Sequence, residues 1–136
     1  HRVRGGTPLR AEVVEALEKV SCSLPVSVSL CHGDFVPWNF KGGKGGQLNI
    51  IDWESAWYPG PAGYDLYYYL TTTAVVLGKR INLSILRTYL TERLGYPKHI
   101  HGEVISFFAA IASAFALGRG DERLCRWHLA RSQAPL

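Results

Sequence analysis

Three oxygen-bearing side chains follow one another at short intervals in the first half of the chain. Asp34 comes after a short run of alternating apolar and small polar residues, Asn39 lies a few positions further on, and Asp52 ends a second apolar run. Carboxylate and amide oxygens are ligands that Mg²⁺ prefers, and a carboxylate can also orient a hydroxyl group. Phosphoryl transfer from ATP requires both functions, because the protein must orient the acceptor and hold metal against the phosphates. The three residues are therefore candidates for this chemistry.

The segments around these residues predict a strand end and a hairpin. Residues 26–30 alternate apolar and small polar side chains, which is typical of a short, half-buried strand. Two further apolar segments flank a glycine-rich tract at residues 41–46, which predicts the loop of a β-hairpin. Since a hairpin brings its two strands side by side, we expect Asn39 and Asp52 to lie close together.

The glycine-rich tract also resembles a phosphate-binding loop in composition. The Walker pattern, however, requires Gly-Lys followed by Ser or Thr, and Lys44 is followed by Gly45. No helix-forming segment comes directly after the tract. We therefore interpret it as the hairpin loop.

Helical patterns occupy most of the remaining chain. Thr7 and Pro8 form a favourable helix start, with a capping hydroxyl followed by proline at the first helical position. Asp65 is suited to the start of a second helix, after a loop at residues 57–61 that is rich in Gly, Pro and aromatic residues. The predicted fold class is thus α+β and mostly helical. The predicted helices cover residues 8–20, 65–76, 83–94, 102–117 and 121–132.

Composition favours a folded domain, with 47% hydrophobic and 19% charged residues. The odd set of Cys22, Cys31 and Cys125 lacks C-x-x-C spacing, so we expect neither a disulfide framework nor a zinc site, and a cytoplasmic location. The most apolar stretch, residues 104–117, falls short of the roughly 20 residues that span a bilayer. We interpret it as a buried helix and expect no membrane insertion.

The net charge is +4, and the basic residues are concentrated in the second half of the chain. They are spaced along predicted helices and do not form one continuous run. We therefore expect solvated helix faces and no nucleic-acid partner.

Taken together, the motifs resemble those of the aminoglycoside phosphotransferase and choline kinase superfamily. The matching motifs are His-Gly-Asp at residues 32–34 with Asn39, Ile-Asp-Trp-Glu at residues 51–54, and Asp-Leu at residues 65–66. The resemblance covers residues 26–70 closely and the helical remainder only in style. It implies a protein-kinase-like fold in which His-Gly-Asp stands where protein kinases have His-Arg-Asp.

The resemblance also implies a role for each motif residue. Asp34 is the candidate catalytic base, and Asn39 and Asp52 are the candidate ligands of Mg²⁺ and, through it, of ATP. His32 is expected to support the loop and the metal aspartate, and Asp65 to brace the loop from the following helix. Structural alternatives exist for each, since an aspartate after a strand commonly caps a turn. The acidic Glu54 either helps the metal site or faces solvent.

By the same resemblance, residues 1–136 form a single domain, the C-terminal lobe of a kinase, without the nucleotide-clamping lobe. Neither Gly-x-Gly-x-x-Gly nor a strand-borne lysine precedes residue 26. We expect the parent protein to phosphorylate a small-molecule hydroxyl and the chain alone to be inactive. The basic second half disfavours polycationic aminoglycosides as substrates. The alternatives are a non-catalytic kinase-like scaffold and, less in keeping with the motifs, a protein kinase.

Overall fold

A computed structural model of the chain describes residues 6–21 and 24–133. It confirms the predicted class, because helices dominate and the strands form only small antiparallel sheets. The chain divides into two compact units, Val26–Tyr96 and the described residues on either side of it. The helices are α1 (Gly6–Ser21), α2 (Tyr64–Leu77), α3 (Ser84–Glu92), α4 (His101–Gly118) and α5 (Glu122–Gln133); the strands are β1 (Val28–Cys31), β2 (Phe40–Gly42), β3 (Leu48–Ile50) and β4 (Trp57–Pro61).

The hairpin predicted around the glycine-rich tract is present in the Val26–Tyr96 unit. Strands β2 and β3 pair in antiparallel fashion, with Phe40 opposite Ile50 and Gly42 opposite Leu48. A short 3-10 turn at Lys44–Gly46 connects them, and Gly45 there adopts the left-handed conformation that favours glycine. Asn39 ends the 3-10 turn that precedes β2 and does not lie in the strand itself.

The second sheet joins β1 to β4, a strand that the sequence did not predict. Ser29 lies opposite Gly60, and the register shifts before Cys31. A Cβ atom added at Gly60 would lie 2.5 Å from the Sγ atom of Cys31, so only glycine lets the two strands approach this closely. Prolines are tolerated in β4 because it lies at the edge of its sheet, where an N–H group is dispensable.

Helix α2 supplies much of the buried surface of this unit. Tyr64, Tyr67 and Tyr68 are buried and pack in the interior of the unit. The Oγ1 atom of Thr71 donates to the carbonyl of Tyr67 one turn earlier, which satisfies a buried hydroxyl inside the helix. The helix thereby presents its first turn, with Asp65, toward the end of β1.

The other unit consists of α1, α4 and α5, which pack against one another. Helix α1 confirms the first predicted helix, although the side chains of Thr7 and Pro8, and hence the proposed capping hydroxyl, lie outside the described residues. Cys22 also lies outside them. Cys125 is a buried free thiol in α5, and burial raises its pKa above the ordinary value.

Helix α4 agrees with the predicted helix at residues 102–117 to within one residue at each end. Together with the 3-10 turn before it, it forms the stretch Lys98–Gly118, whose length and composition would allow it to cross a membrane. However, 56% of its most apolar window is buried. Its packing against α1 and α5 is the arrangement of a core helix, as the sequence predicted.

Candidate active site

The loop after β1 is held by the first turn of α2. The backbone N–H groups of His32 and Gly33 donate to the two carboxylate oxygens of Asp65, at 2.8 and 3.1 Å. Hydrogen bonds to an ionised acceptor are among the stronger ones in proteins, and one carboxylate here satisfies two successive amides. Asp65 therefore fixes the direction in which the chain leaves the strand.

Gly33 occupies a position that no other residue type suits. Its φ of +90° lies in the region favoured by glycine, and an added Cβ atom would lie 2.5 Å from the carbonyl oxygen of Ser55. The obstructing atoms belong mainly to backbone, which has little freedom to move away. The loop and the segment after Asp52 are thus in direct backbone contact at Gly33.

The side chain of His32 connects the loop to the residue before Asp52. Its Nδ1 atom accepts a hydrogen bond from the backbone N–H of Asp34 at 3.1 Å, and its Nε2 atom lies 2.8 Å from the carbonyl oxygen of Ile51. The first bond requires a lone pair on Nδ1, so the ring is neutral with its proton on Nε2, which donates to Ile51. The buried imidazole therefore connects the backbone of Asp34 to the peptide before Asp52.

Asn39 holds Asp34 by two hydrogen bonds. The Nδ2 amide group donates to the backbone carbonyl of Asp34 at 2.8 Å and to its Oδ2 atom at 3.3 Å. Both bonds use the nitrogen end of the amide. The Oδ1 atom accepts no hydrogen bond from the described residues and remains available as an oxygen ligand.

The hairpin pairs Asn39 with Ile51, the residue before Asp52. The backbone N–H of Ile51 donates to the carbonyl oxygen of Asn39 at 2.9 Å, which extends the β2–β3 register to the residue before Asp52. Asp52 itself has φ 64° and ψ 61°, and no other non-glycine residue among those described has a positive φ. This conformation costs about 1–2 kcal/mol for an ordinary residue and less for aspartate, and strained backbone conformations cluster at functional sites.

Aromatic side chains pack around the loop. Phe35 contacts Phe40 edge to face, with ring centroids 5.0 Å apart, and Phe40 stacks on Tyr69 of α2 at 5.8 Å. These contacts join the loop, the hairpin and α2 without using any of the three candidate polar side chains. They give the polar groups an apolar support, which limits their freedom to reorient.

Trp53 is a member of the site that sequence reasoning named only as part of a motif. Its indole Nε1–H donates to the carbonyl oxygen of Ile50 at 2.7 Å, and its ring packs against His32 with centroids 4.6 Å apart. Glu54, in the same 3-10 turn, is exposed and forms no hydrogen bond with the described residues. The only signal in the sequence for Trp53 was its position directly after Asp52.

The donor set suits a hard divalent cation whose coordination other molecules complete. Asp52 is exposed, and its carboxylate accepts no hydrogen bond from the described residues, while Asn39 offers Oδ1. Mg²⁺ commonly binds to one or two protein oxygens and takes its remaining ligands from phosphates and water. Among the described residues there is no group of three or more His, Cys, Asp or Glu side chains that would hold a metal by themselves.

Comparison with known proteins supports a family assignment. The family model of the phosphotransferase enzyme family matches residues 4–99, more than half of the chain, and this range includes all the candidate site residues. Searches of curated proteins and of solved structures found no match.

Proposed function

This chain belongs to the phosphotransferase enzyme family, and from that premise we propose that it carries the catalytic loop and metal-binding segment of an ATP-dependent small-molecule kinase. The reaction would transfer the γ-phosphoryl group of ATP to a hydroxyl group of the acceptor. The observation that carries the proposal is the double hydrogen bond from Asn39 to Asp34 beside the hairpin that leads to Asp52. It supports the proposal, because Asp34 is bonded to Asn39 and Asn39 is bonded to the residue before Asp52.

Asp34 is the residue that would meet the acceptor. Its carboxylate is held on one side by the Nδ2 group of Asn39, which leaves the other oxygen free to accept a hydrogen bond from the acceptor hydroxyl. Such a bond orients the oxygen nucleophile toward the phosphorus atom, and the carboxylate can take the hydroxyl proton as transfer proceeds. Orientation is a large part of catalysis in this reaction, since the transition state asks for little covalent help.

Asn39 and Asp52 would hold Mg²⁺ through Oδ1 and the carboxylate. When bound, the metal neutralises negative charge on the phosphate oxygens as the phosphoryl group departs. Asn39 would thus have two functions, because the nitrogen end of its amide holds Asp34 and the oxygen end is available to the metal. His32 contributes by fixing the main chain beside both aspartates.

We further propose that the Val26–Tyr96 unit corresponds to part of the C-terminal lobe of a kinase-like fold. The clamp on the nucleotide, a strand-borne lysine and a covering loop, would come from a separate lobe. On this proposal the 136-residue chain has the residues for chemistry but little means of retaining ATP. It should therefore show very little turnover alone.

The acceptor is proposed to be a neutral or anionic small molecule that carries a hydroxyl group. Residues 79–136 carry nine Lys and Arg against four Asp and Glu, and net positive charge disfavours a polycationic acceptor by repulsion. A sugar, an amino alcohol or an anionic metabolite fits this chemistry better than an aminoglycoside.

The proposal is tested with the full-length gene product and γ-labelled ATP. Transfer of label should be measured with Mg²⁺ and a panel of sugars, amino alcohols, anionic metabolites and aminoglycosides. Asp34→Asn and Asp52→Ala should each lower turnover by about 100-fold or more. Asp121→Asn is the matched control, since Asp121 caps α5 in the other unit and should leave turnover unchanged. Activity that survives in both site variants would contradict the assigned roles, whereas no transfer by the unmodified protein to any acceptor would favour a non-catalytic module.

A further inference from the structure

Two consecutive carbonyl groups before Asp52 are held by ring N–H groups. The indole of Trp53 donates to the carbonyl of Ile50 at 2.7 Å, and the imidazole of His32 bonds to the carbonyl of Ile51 at 2.8 Å. The two peptide units that lead into Asp52 therefore have fixed orientations. Both bonds come from side chains outside the hairpin strands.

The two rings also support each other. The rings of Trp53 and His32 lie 4.6 Å apart at an interplanar angle of 61°, which is an edge-to-face contact. Because His32 is buried and is tied to the backbone of Asp34, it provides a fixed surface for the indole. The indole therefore packs against a ring that is itself bonded to the Asp34 backbone, and it bonds to the peptide before Ile51.

Burial alone does not explain the position of Trp53. Its side chain is 46% exposed, and the nearby Trp38 is exposed to nearly the same extent, at 47%. The indole of Trp38 donates no hydrogen bond to the described residues, whereas that of Trp53 donates one at short distance. The two tryptophans differ in this bond and in the contact with His32, so Trp38 is a matched comparison.

The contacts of Trp53 and His32 bear on the backbone conformation of Asp52. It holds a left-handed conformation, and its own carboxylate takes no part in maintaining it among the described residues. The groups that can hold this conformation are therefore the neighbouring ones. We propose that Trp53 is a positioning residue for Asp52: its indole holds the Ile50 carbonyl and, against His32, keeps the turn that presents the Asp52 carboxylate. The link to catalysis rests on the proposed function, in which that carboxylate binds Mg²⁺.

The conformational part is tested on the 136-residue chain, without metal or nucleotide. In ¹⁵N-labelled protein, the indole N–H of Trp53 should exchange with solvent at least about 10-fold more slowly than that of Trp38, despite their equal exposure. Trp53→Phe keeps a ring against His32 but removes the donor, and it should abolish the left-handed backbone couplings and chemical shifts of Asp52. Trp38→Phe should preserve them. Equal exchange rates, or an unchanged Asp52 signature in Trp53→Phe, would overturn the proposal.

The functional part is tested on the full-length gene product by the Mg²⁺ dependence of transfer. Trp53→Phe should raise the Mg²⁺ concentration for half-maximal rate by about 10-fold, as loss of an outer partner of a metal ligand typically does. Trp38→Phe should leave that concentration unchanged, and the KM for the acceptor should not move in either variant. An unchanged Mg²⁺ dependence in Trp53→Phe would refute the positioning role. If Asp52→Ala also leaves the Mg²⁺ dependence unchanged, the proposed metal role of Asp52 fails as well. The exchange measurement tests the conformational claim independently of that outcome.

Discussion

The carboxylate of Asp65 accepts a hydrogen bond of 2.8 Å from the backbone N–H of His32, although 33 positions separate the two residues in the chain. The adjoining amide of Gly33 donates to the other oxygen of the same carboxylate. A residue at the start of a helix thereby determines the path of a loop that begins at the end of a strand. The bond shows that the candidate catalytic loop is stabilised by a residue that need not touch substrate.

Replacing Asp65 by Asn should weaken the hydrogen bonds that hold the candidate catalytic loop and leave the candidate site residues themselves unchanged. The amide keeps one acceptor oxygen but turns a donor toward a second N–H group, so one charge-assisted bond is lost and a buried amide is left unsatisfied. We expect the free energy of unfolding to fall by about 1–3 kcal/mol. Urea denaturation followed by circular dichroism measures the change. Glu54→Gln, an exposed change without a bonded partner among the described residues, should be neutral; equal effects of the two variants would contradict the bracing role.

Replacing Gly33 by Ala tests the close approach of two backbones. Gly45 is the matched control, because it too has a positive φ, +67°, but an added Cβ atom there meets nothing within 4 Å. Gly45→Ala should therefore cost only the conformational penalty, about 1 kcal/mol. Gly33→Ala should cost a further 1–3 kcal/mol, roughly, because the added carbon is forced against the Ser55 carbonyl. Equal midpoints in urea would show that the backbone at Ser55 moves aside freely.

Replacing Asn39 by Asp separates the two functions assigned to its amide. The new side chain keeps oxygen for the metal, but it can no longer donate to Asp34 and places like charge beside it. We expect kcat of the full-length gene product to fall by about 100-fold through misplacement of Asp34. The Mg²⁺ concentration for half-maximal rate should change much less. Asn49→Asp, on the exposed part of the same hairpin, should leave kcat unaltered; a normal kcat in Asn39→Asp would show that Asp34 does not need the amide.

His128 makes stability dependent on pH. Burial, with a smaller contribution from Arg131, lowers the pKa of His128 from 6.5 to about 3. An unfolded chain therefore binds a proton at this residue well before the folded protein does, and the protein loses stability as pH falls below about 6.5. Between pH 7 and 5 we expect a loss of about 2 kcal/mol from this group.

The measurement is urea denaturation of the chain at several pH values. His128→Leu should flatten the loss of stability between pH 7 and 5. Leu129→Ala, at the neighbouring buried position of α5, should lower stability at every pH and leave the slope as in the unmodified chain. A slope that is the same in His128→Leu would show that other groups control the acid sensitivity.

The sequence predicted the elements whose patterns are local. Periodic apolar residues identified the five helices of the described residues, alternation identified β1, and the glycine-rich tract identified the hairpin. Strand β4 escaped prediction because Trp57–Pro61 contains two prolines and a glycine, which are typical of loops. It forms a strand by pairing with β1, where Cys31 fits against a glycine of β4 that is distant from it in sequence. Local preference cannot reveal a partner of that kind.

In the candidate site, too, some features follow from local sequence and others depend on distant contacts. The spacing of Asp34, Asn39 and Asp52 was visible in the chain, because each belongs to a short motif. The bond from Trp53 to Ile50 and the close approach of Ser55 to Gly33 were not visible, since both depend on the path of the backbone after Asp52. That path is left-handed at an aspartate, which composition does not signal.

The bonds that hold Asp34 and Asn39 among the described residues all end inside the continuous segment from His32 to Asp65. This has an evolutionary consequence. A recombination event on either side of that segment exchanges neighbouring helices without separating the candidate aspartates from the groups that hold them. The segment can therefore be inherited as one block, together with the bonds that hold Asp34 and Asn39 among the described residues.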